Sequence, residues 1–212
     1  RDPRARDPLL AALRDENWRV RTEALLALSK IGDPGATDAI VTALKDECWR
    51  VRTEAARALG LLGKPGIEEH LIAALGDENW RVRREVVKAL AGIGPGEALE
   101  SLVRAIGDPD ENVRREAAAV LGGMGPAAIS PLSKVLRGES KEARREAARV
   151  LGKIRDPSAI EILIPLLQDP DEGVRTEALL ALGRMGASGV KPLIQAMKDR
   201  GFTDLQGRGG GP

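Results

Sequence analysis

Tyrosine is absent from this 212-residue chain, phenylalanine occurs once, and aromatic residues make up 2% of the whole. A single globular core of this length ordinarily uses Phe and Tyr as filler, so the composition argues against one. A single cysteine excludes an intrachain disulfide and any multi-cysteine metal site, which fits a reducing compartment. A single histidine, His70, excludes a four-histidine metal centre. Lys plus Arg number 33 against 32 Asp plus Glu, so there is no basic excess to draw the chain to nucleic acid or an anionic membrane, and any electrostatic preference must be local. No apolar run approaches the roughly 18 residues of a membrane span, and no secretory h-region is visible. P-loop, G-x-S-x-G and H-E-x-x-H signatures are missing. The chain starts with Arg1, which leaves a removed targeting segment open; the expected location is cytoplasmic, with no membrane partner.

What is present is Ala, Leu, Glu and Arg with little β-branching, a composition for helices throughout. Val-Arg or its equivalent recurs at Val20, Val51, Val82, Val113, Ala143 and Val174, at spacings of 31, 31, 31, 30 and 31 residues. This register divides the chain into units 7–37, 38–68, 69–99, 100–129, 130–160 and 161–190, with a partial unit from Lys191. Each unit holds two apolar helical patterns. The first carries Leu9, Leu10 and Leu13, then Ile40, Val41 and Leu44, then Leu71, Ile72 and Leu75. The second carries Val20, Ala24, Ala27, Leu28 and Ile31, matched by Val51, Ala55, Ala58, Leu59 and Leu62; both stripes are expected to form the core.

Punctuation follows helix chemistry. Asn17, Asn79, Asp110, Ser140 and Asp171 are N-cap residues for the second helix, with Cys48 the exception. Gly32, Gly63, Gly94, Gly125 and Gly186 stand where a left-handed residue ends it, with Arg155 the exception. Asp33-Pro34 and Asp156-Pro157 start the next first helix, and Asp2-Pro3 opens the chain in the same phase. Gly60, Gly122 and Gly183, with Ser29 and Ala91 in the same slot, predict close backbone packing between second helices.

The segments VRTEALLALSKIG, VRTEAARALGLLG, VRREVVKALAGIG, VRREAAAVLGGMG and VRTEALLALGRMG resemble the short HEAT-like repeat named for phycobilisome lyases. The resemblance implies an all-α fold, a right-handed α-solenoid with second helices lining the concave side. It also implies a ladder between Arg21, Arg52, Arg83, Arg114, Arg144 and Arg175 and Asp15, Asp46, Asp77, Asp108 and Asp169. The fifth unit departs with Gly138, Ala143 and Arg155, and a bend or soft joint is expected there. The regularity also resembles consensus-designed HEAT-like arrays, whereas Cys48, the degenerate fifth unit and Pro165 inside a first helix point to a natural sequence. Residues 1–206 are expected to form one solenoid, Asp199 to Gln206 with Phe202 closing its apolar edge, and 207–212 a flexible Gly-rich tail.

Positions shared by every unit carry the stack, and exposed positions that differ are free to carry function. With the core stripe through Val20, Ala24, Ala27 and Leu28, residues Trp18, Arg19, Thr22, Glu23, Leu26 and Lys30 point away from it, by the resemblance onto the concave face. One position reads Trp18, Trp49, Trp80, Glu111, Lys141 and Glu172, and its neighbour Arg19, Arg50, Arg81, Asn112, Glu142 and Gly173. The first three units thus set up a Trp–Arg ladder about 20 Å long. Its indoles can act as hot-spot anchors for a partner, or lie flat over the neighbouring second helix as a shield. Thr22, Thr53 and Arg84, then Leu26, Arg57 and Lys88, continue the candidate partner-binding surface, beside an unbroken row of Glu23, Glu54, Glu85, Glu116, Glu146 and Glu177 that compensates the basic residues.

Catalytic chemistry finds little support. Deoxyhypusine hydroxylases, which the fold resembles, need repeated His-Glu pairs, and His70 stands alone as a solvated or capping residue. HEAT-like DNA glycosylases use a special aspartate in a basic channel, but here glutamate repeats and the charge is balanced, so phosphate-driven binding would be weak. Bilin lyases share the repeat; Cys48 reads as a cap-position residue rather than a chromophore carrier. The expected role is therefore a protein-interaction scaffold that takes a protein or peptide on the concave face and is not an enzyme. No cofactor or metal is expected. A bilin lyase or chaperone-like protein and a nucleic-acid-binding HEAT-like protein are the alternatives.

Overall fold

A computed structural model describes residues 5–63, 66–93, 96 and 98–199. The expectations for Asp2-Pro3, Gly94, Phe202 and the 207–212 tail lie outside the described residues. Two compact units are present, Arg1–Val120 and Leu121–Pro212. Each is a stack of helical hairpins, and the fold is an all-α repeat solenoid with no strand among the described residues.

In the first unit, short first helices α1 (Arg6–Ala12), α3 (Thr37–Ala43), α5 (Glu68–Ala74) and α7 (Ala98–Ala105) alternate with second helices α2 (Trp18–Ile31), α4 (Trp49–Leu62), α6 (Trp80–Ile93) and α8 (Glu111–Met124), the last running across the boundary. The second unit holds α9 (Ile129–Val135), α10 (Lys141–Ile154), α11 (Ile160–Leu163), α12 (Glu172–Arg184) and α13 (Ala187–Asp199). Asn17, Ser140 and Asp171 accept backbone N–H bonds at the starts of α2, α10 and α12, satisfying donors the helix leaves open. Asp33 and Asp156 cap short 3-10 turns, Pro34–Ala36 and Pro157–Ala159, rather than opening an α-helix directly. The other correction at a proline concerns Pro165. It does not sit inside a first helix, because α11 stops at Leu163 and Ile164–Gln168 continues as 3-10. A proline has no N–H to give and its ring collides with the carbonyl one turn back. Gly32 and Gly63 end α2 and α4 at φ of 71° and 55°, and Arg155 ends α10 at φ 56° despite its Cβ.

The buried arc of each second helix is wider than the single stripe the sequence suggests. Leu28, Val51, Ala55, Leu59, Ile40 and Leu71 are buried as expected, but so are Leu25, Ala56, Val87 and Ala148, one place after the predicted stripe. A second helix packs against its own first helix and against adjacent second helices, which spreads burial around the cylinder. Val20 departs the other way: it is 38% exposed, whereas Val51, Val82, Val113 and Val174 are buried. Leu9, Leu10 and Leu13 are half-buried, as are Val41, Ile72 and Leu75 in the following units.

Successive hairpins are tied by arginine–aspartate pairs. Arg52 donates to Asp77 at 2.6 and 3.0 Å, Arg83 to Asp108 at 2.7 and 2.8 Å, and in the second unit Arg144 to Asp169 at 2.7 and 2.8 Å. Arg21 reaches Asp46 at 2.8 Å. Every pair therefore joins a second helix to the loop of the following unit, while the remaining guanidinium nitrogen donates to two carbonyls of its own loop, as Arg52 does to Asp46 and Glu47 at 2.9 and 3.2 Å. The carboxylate is equally shared: Asp77 also accepts from the Asn79 amide at 2.8 Å. Where Gly138 takes the aspartate's place in the sequence, Arg114 retains the carbonyls of Asp108 and Pro109, and its Nε is buried without a hydrogen-bond partner among the described residues.

The glycine slot divides in two. A Cβ on Gly60 would stand 2.8 Å from the Cα of Ala89, and one on Gly152 would stand 2.6 Å from the Cα of Ala181. Gly183 has nothing within 4 Å, and Gly122 meets only the Lys153 side chain at 3.8 Å. Close approach therefore explains Gly60 and Gly152, the latter holding the same place after Ala143 as Gly60 does after Val51, and does not explain Gly122 or Gly183.

In urea unfolding, Gly60→Ala and Gly152→Ala lose about 1–3 kcal/mol by overpacking, whereas Gly183→Ala gains about 0.5–1 kcal/mol through helix propensity. Equal effects at the three sites would refute the close-approach account. The Asp169 carboxyl is held below its ordinary 3.8, chiefly by the hydrogen bond from Arg144 and further by the Asp171 amide. A depressed folded-state value gives stability that is present above 3.8 and lost as pH falls through the lowered value. Asp169→Asn should cost about 3–5 kcal/mol at neutral pH and should flatten the loss of stability between about pH 5 and pH 2; an unchanged acid limb in the variant would contradict this.

Candidate functional site

Trp18, Trp49 and Trp80 are the first residues of α2, α4 and α6, so the packing of the second helices brings the three to one edge of the first unit. All three are half-buried, and the adjacent Arg19, Arg50 and Arg81 are exposed. The side chains interleave. The Arg19 guanidinium carbon lies 4.9 Å from the Trp18 ring centre; that of Arg50 lies 4.9 Å from Trp18 and 4.4 Å from Trp49; that of Arg81 lies 5.2 Å from Trp49 and 4.4 Å from Trp80. Arg50 and Arg81 thus each bridge the indoles of two consecutive units. Such a contact contributes about 0.5–1 kcal/mol when exposed and more when desolvated. The indoles are half-buried and flanked by cations.

Among the described residues no carboxylate pairs with Arg19, Arg50 or Arg81, which sets them apart from Arg57, Arg84 and Lys88 further along the same helices. Arg57 pairs with Glu54. Lys88 lies 3.4 Å from Glu85 and 4.0 Å from Glu116, and Arg84 lies 3.6 Å from Glu116. Thr22 donates back to the carbonyls of Trp18 and Arg19 at 3.2 and 2.8 Å, and Thr53 to that of Trp49 at 2.8 Å, so both hydroxyl protons are turned onto their own helix. Leu26 is half-buried. The six Trp and Arg residues come together as one stack; Thr22, Thr53, Arg84, Leu26, Arg57 and Lys88 do not join it.

The glutamate row is also deeper than its sequence position suggests. Glu23 is exposed, but the Glu54 and Glu85 side chains are 13% and 16% exposed, and in the second unit Glu146 and Glu177 are buried. There Arg149 reaches both, at 3.3 and 3.7 Å, and Arg184 reaches Glu177 at 2.8 Å. These carboxylates lie where second helices meet, and the basic residues around them serve as their counter-ions.

Cys48 stands at the N-cap of α4 in extended conformation and makes no side-chain cap bond, leaving first-turn donors that Asn17 and Asn79 satisfy at α2 and α6. This gap falls beside the middle of the Trp–Arg stack, since Cys48 directly precedes Trp49 and Arg50. His70 is exposed on α5 and lines an open groove with Val41, Lys45 and Ala73. No cluster of three or more metal-ligating side chains occurs among the described residues.

The family model described as HEAT repeats matches residues 1–60, 67–139 and 129–205. The chain belongs to the HEAT repeat family. A second model, the PBS lyase HEAT-like repeat, matches residues 51–77 of this HEAT array. None of the curated proteins compared matches it. Among solved structures it is similar to an engineered protein at 28% identity and TM-score 0.52, covering 87% of this chain and 98% of that one. The complex of CpcE and CpcF of phycocyanin lyase from Nostoc sp. PCC7120 shares 24% identity at TM-score 0.52, over 93% of this chain and 83% of that one. A designed armadillo repeat protein in complex with the peptide (KR)4 shares 23% identity at TM-score 0.51, over 84% and 98%. The latter two show likeness of fold alone.

Cys48→Asn should supply the missing cap and raise stability by about 1 kcal/mol in urea unfolding. No gain would mean that the α4 donors are already satisfied by solvent at no cost.

Proposed function

We propose that this HEAT array is a recognition module that holds a partner polypeptide against the N-terminal edge of α2, α4 and α6, through Trp18, Trp49, Trp80, Arg19, Arg50 and Arg81. The observation that carries the proposal is the sharing of Arg50 and Arg81 between indoles of consecutive units. Side chains already held in one arrangement lose little further entropy when a partner arrives. Trp and Arg are also the residue types most often found among interface residues that contribute about 2 kcal/mol or more. Polyanion binding along the second helices is disfavoured, since Arg57, Arg84 and Lys88 are engaged by glutamates of the same surface.

The test is selection of peptides from a displayed library against the full chain, followed by affinity measurement on wild type and on a W18A/W49A/W80A variant whose helicity is checked by circular dichroism. The expected outcome is a loss of at least about tenfold, with Arg50→Ala as a second variant should the triple change lower stability. Selected peptides that bind wild type and both variants alike would sink the proposal.

A further inference from the structure

The geometry points to an acidic, extended polypeptide segment as the ligand of the Trp–Arg stack, one carrying a carboxylate at about every third residue. This deepens the recognition role proposed above and rests on it.

Charge is the first argument. Arg19, Arg50 and Arg81 are exposed and lack a carboxylate partner among the described residues, while Arg57, Arg84 and Lys88 on the same helices are neutralised. The exposed Glu47 and Glu78 of the loops before α4 and α6 are drawn the other way: Glu47 lies 3.5 Å from Arg21 and Glu78 lies 3.2 Å from Arg52, within the arginine–aspartate ladder, whereas Glu16 before α2 is exposed. At α4 and α6 the edge therefore offers positive charge without an ion-paired carboxylate. The starts of α2, α4 and α6 add the positive ends of three helix dipoles. The α4 first turn adds donors that Cys48 leaves uncapped.

Stacking is the second. A guanidinium laid over an indole uses its face, and its N–H donors lie in its plane, free to bind a carboxylate. Trp18 and Trp49 each receive a guanidinium from their own unit and another from the next, so each ring is already engaged by two cations. Nucleic-acid bases need an open aromatic face on which to stack. The arrangement thus suits a peptide carboxylate better than a base.

Spacing is the third. Packed helices lie about 8–10 Å apart, and a polyproline II segment advances about 9.3 Å per three-residue turn. Successive arginines of the stack then meet side chains three residues apart on one face of such a segment.

All three tryptophans of the chain are in the stack, so their emission reports directly on it. The full chain is titrated with peptides of repeated Glu-Pro-Pro, Gln-Pro-Pro and Lys-Pro-Pro and with oligo(dT). Glu-Pro-Pro should bind about tenfold more tightly than Gln-Pro-Pro, weaken with added salt, and lose its advantage in Arg50→Gln, whose unfolding transition is measured alongside. Arg81→Gln serves if the first variant is destabilised. Equal binding of the glutamate, glutamine and lysine peptides, binding of oligo(dT) without the acidic peptide, or an undiminished preference in both variants would overturn the acidic assignment. If the assignment fails while library-selected peptides still require the tryptophans, the recognition role survives; if those peptides also bind independently of them, both fall.

Discussion

A guanidinium shared between two loops is the contact on which the array depends. Arg52 takes the carboxylate of Asp77 in the following unit and, with its other nitrogen, the carbonyls of Asp46 and Glu47 in its own. Arg83 and Arg144 repeat the arrangement. A buried charge pair of this kind is costly to desolvate and costly to break, so its value lies in register more than in net stability. A slip by one residue would carry the guanidinium away from the next loop and leave both charges buried and unpaired.

That register delivers the tryptophans to one edge. Trp49 is three residues before Arg52 and Trp80 three before Arg83, so fixing the arginine fixes the indole at the start of the same helix. Arg50 and Arg81 then each lie against two rings. Within the first unit, the same residue type performs two tasks at different depths. Arg52 and Arg83 are enclosed and paired with aspartate, whereas Arg50 and Arg81 are exposed and stacked on tryptophan. Burial separates a structural cation from one available to a ligand.

Much of this was legible in the chain. The 31-residue period, the cap residues Asn17, Ser140 and Asp171 and the glycine ends of the helices are local signals, and each names its own place. The Trp–Arg rows were visible as a break in the pattern after the third unit. Less visible were Leu25, Ala56 and Val87, since burial on the flank of a helix depends on a neighbour that periodicity within one helix does not describe. Pro165 was misplaced because its effect on α11 depends on the carbonyl it displaces. The pairing of the glutamate row with neighbouring basic residues was legible from the i, i+3 spacing, but its depth was not, since Glu146 and Glu177 are buried.

The residue pattern alone decided the repeat, the two-helix unit and membership of a stacking fold, because these follow from local hydrophobic period, capping and left-handed turn positions. Tertiary packing decided which glycine of a shared slot needs its hydrogen, which arginine is paired, and which indoles share a guanidinium. The physical reason is the same in each case. Period and capping belong to one helix, while close approach, charge compensation and ring stacking are properties of the distance between helices from different units.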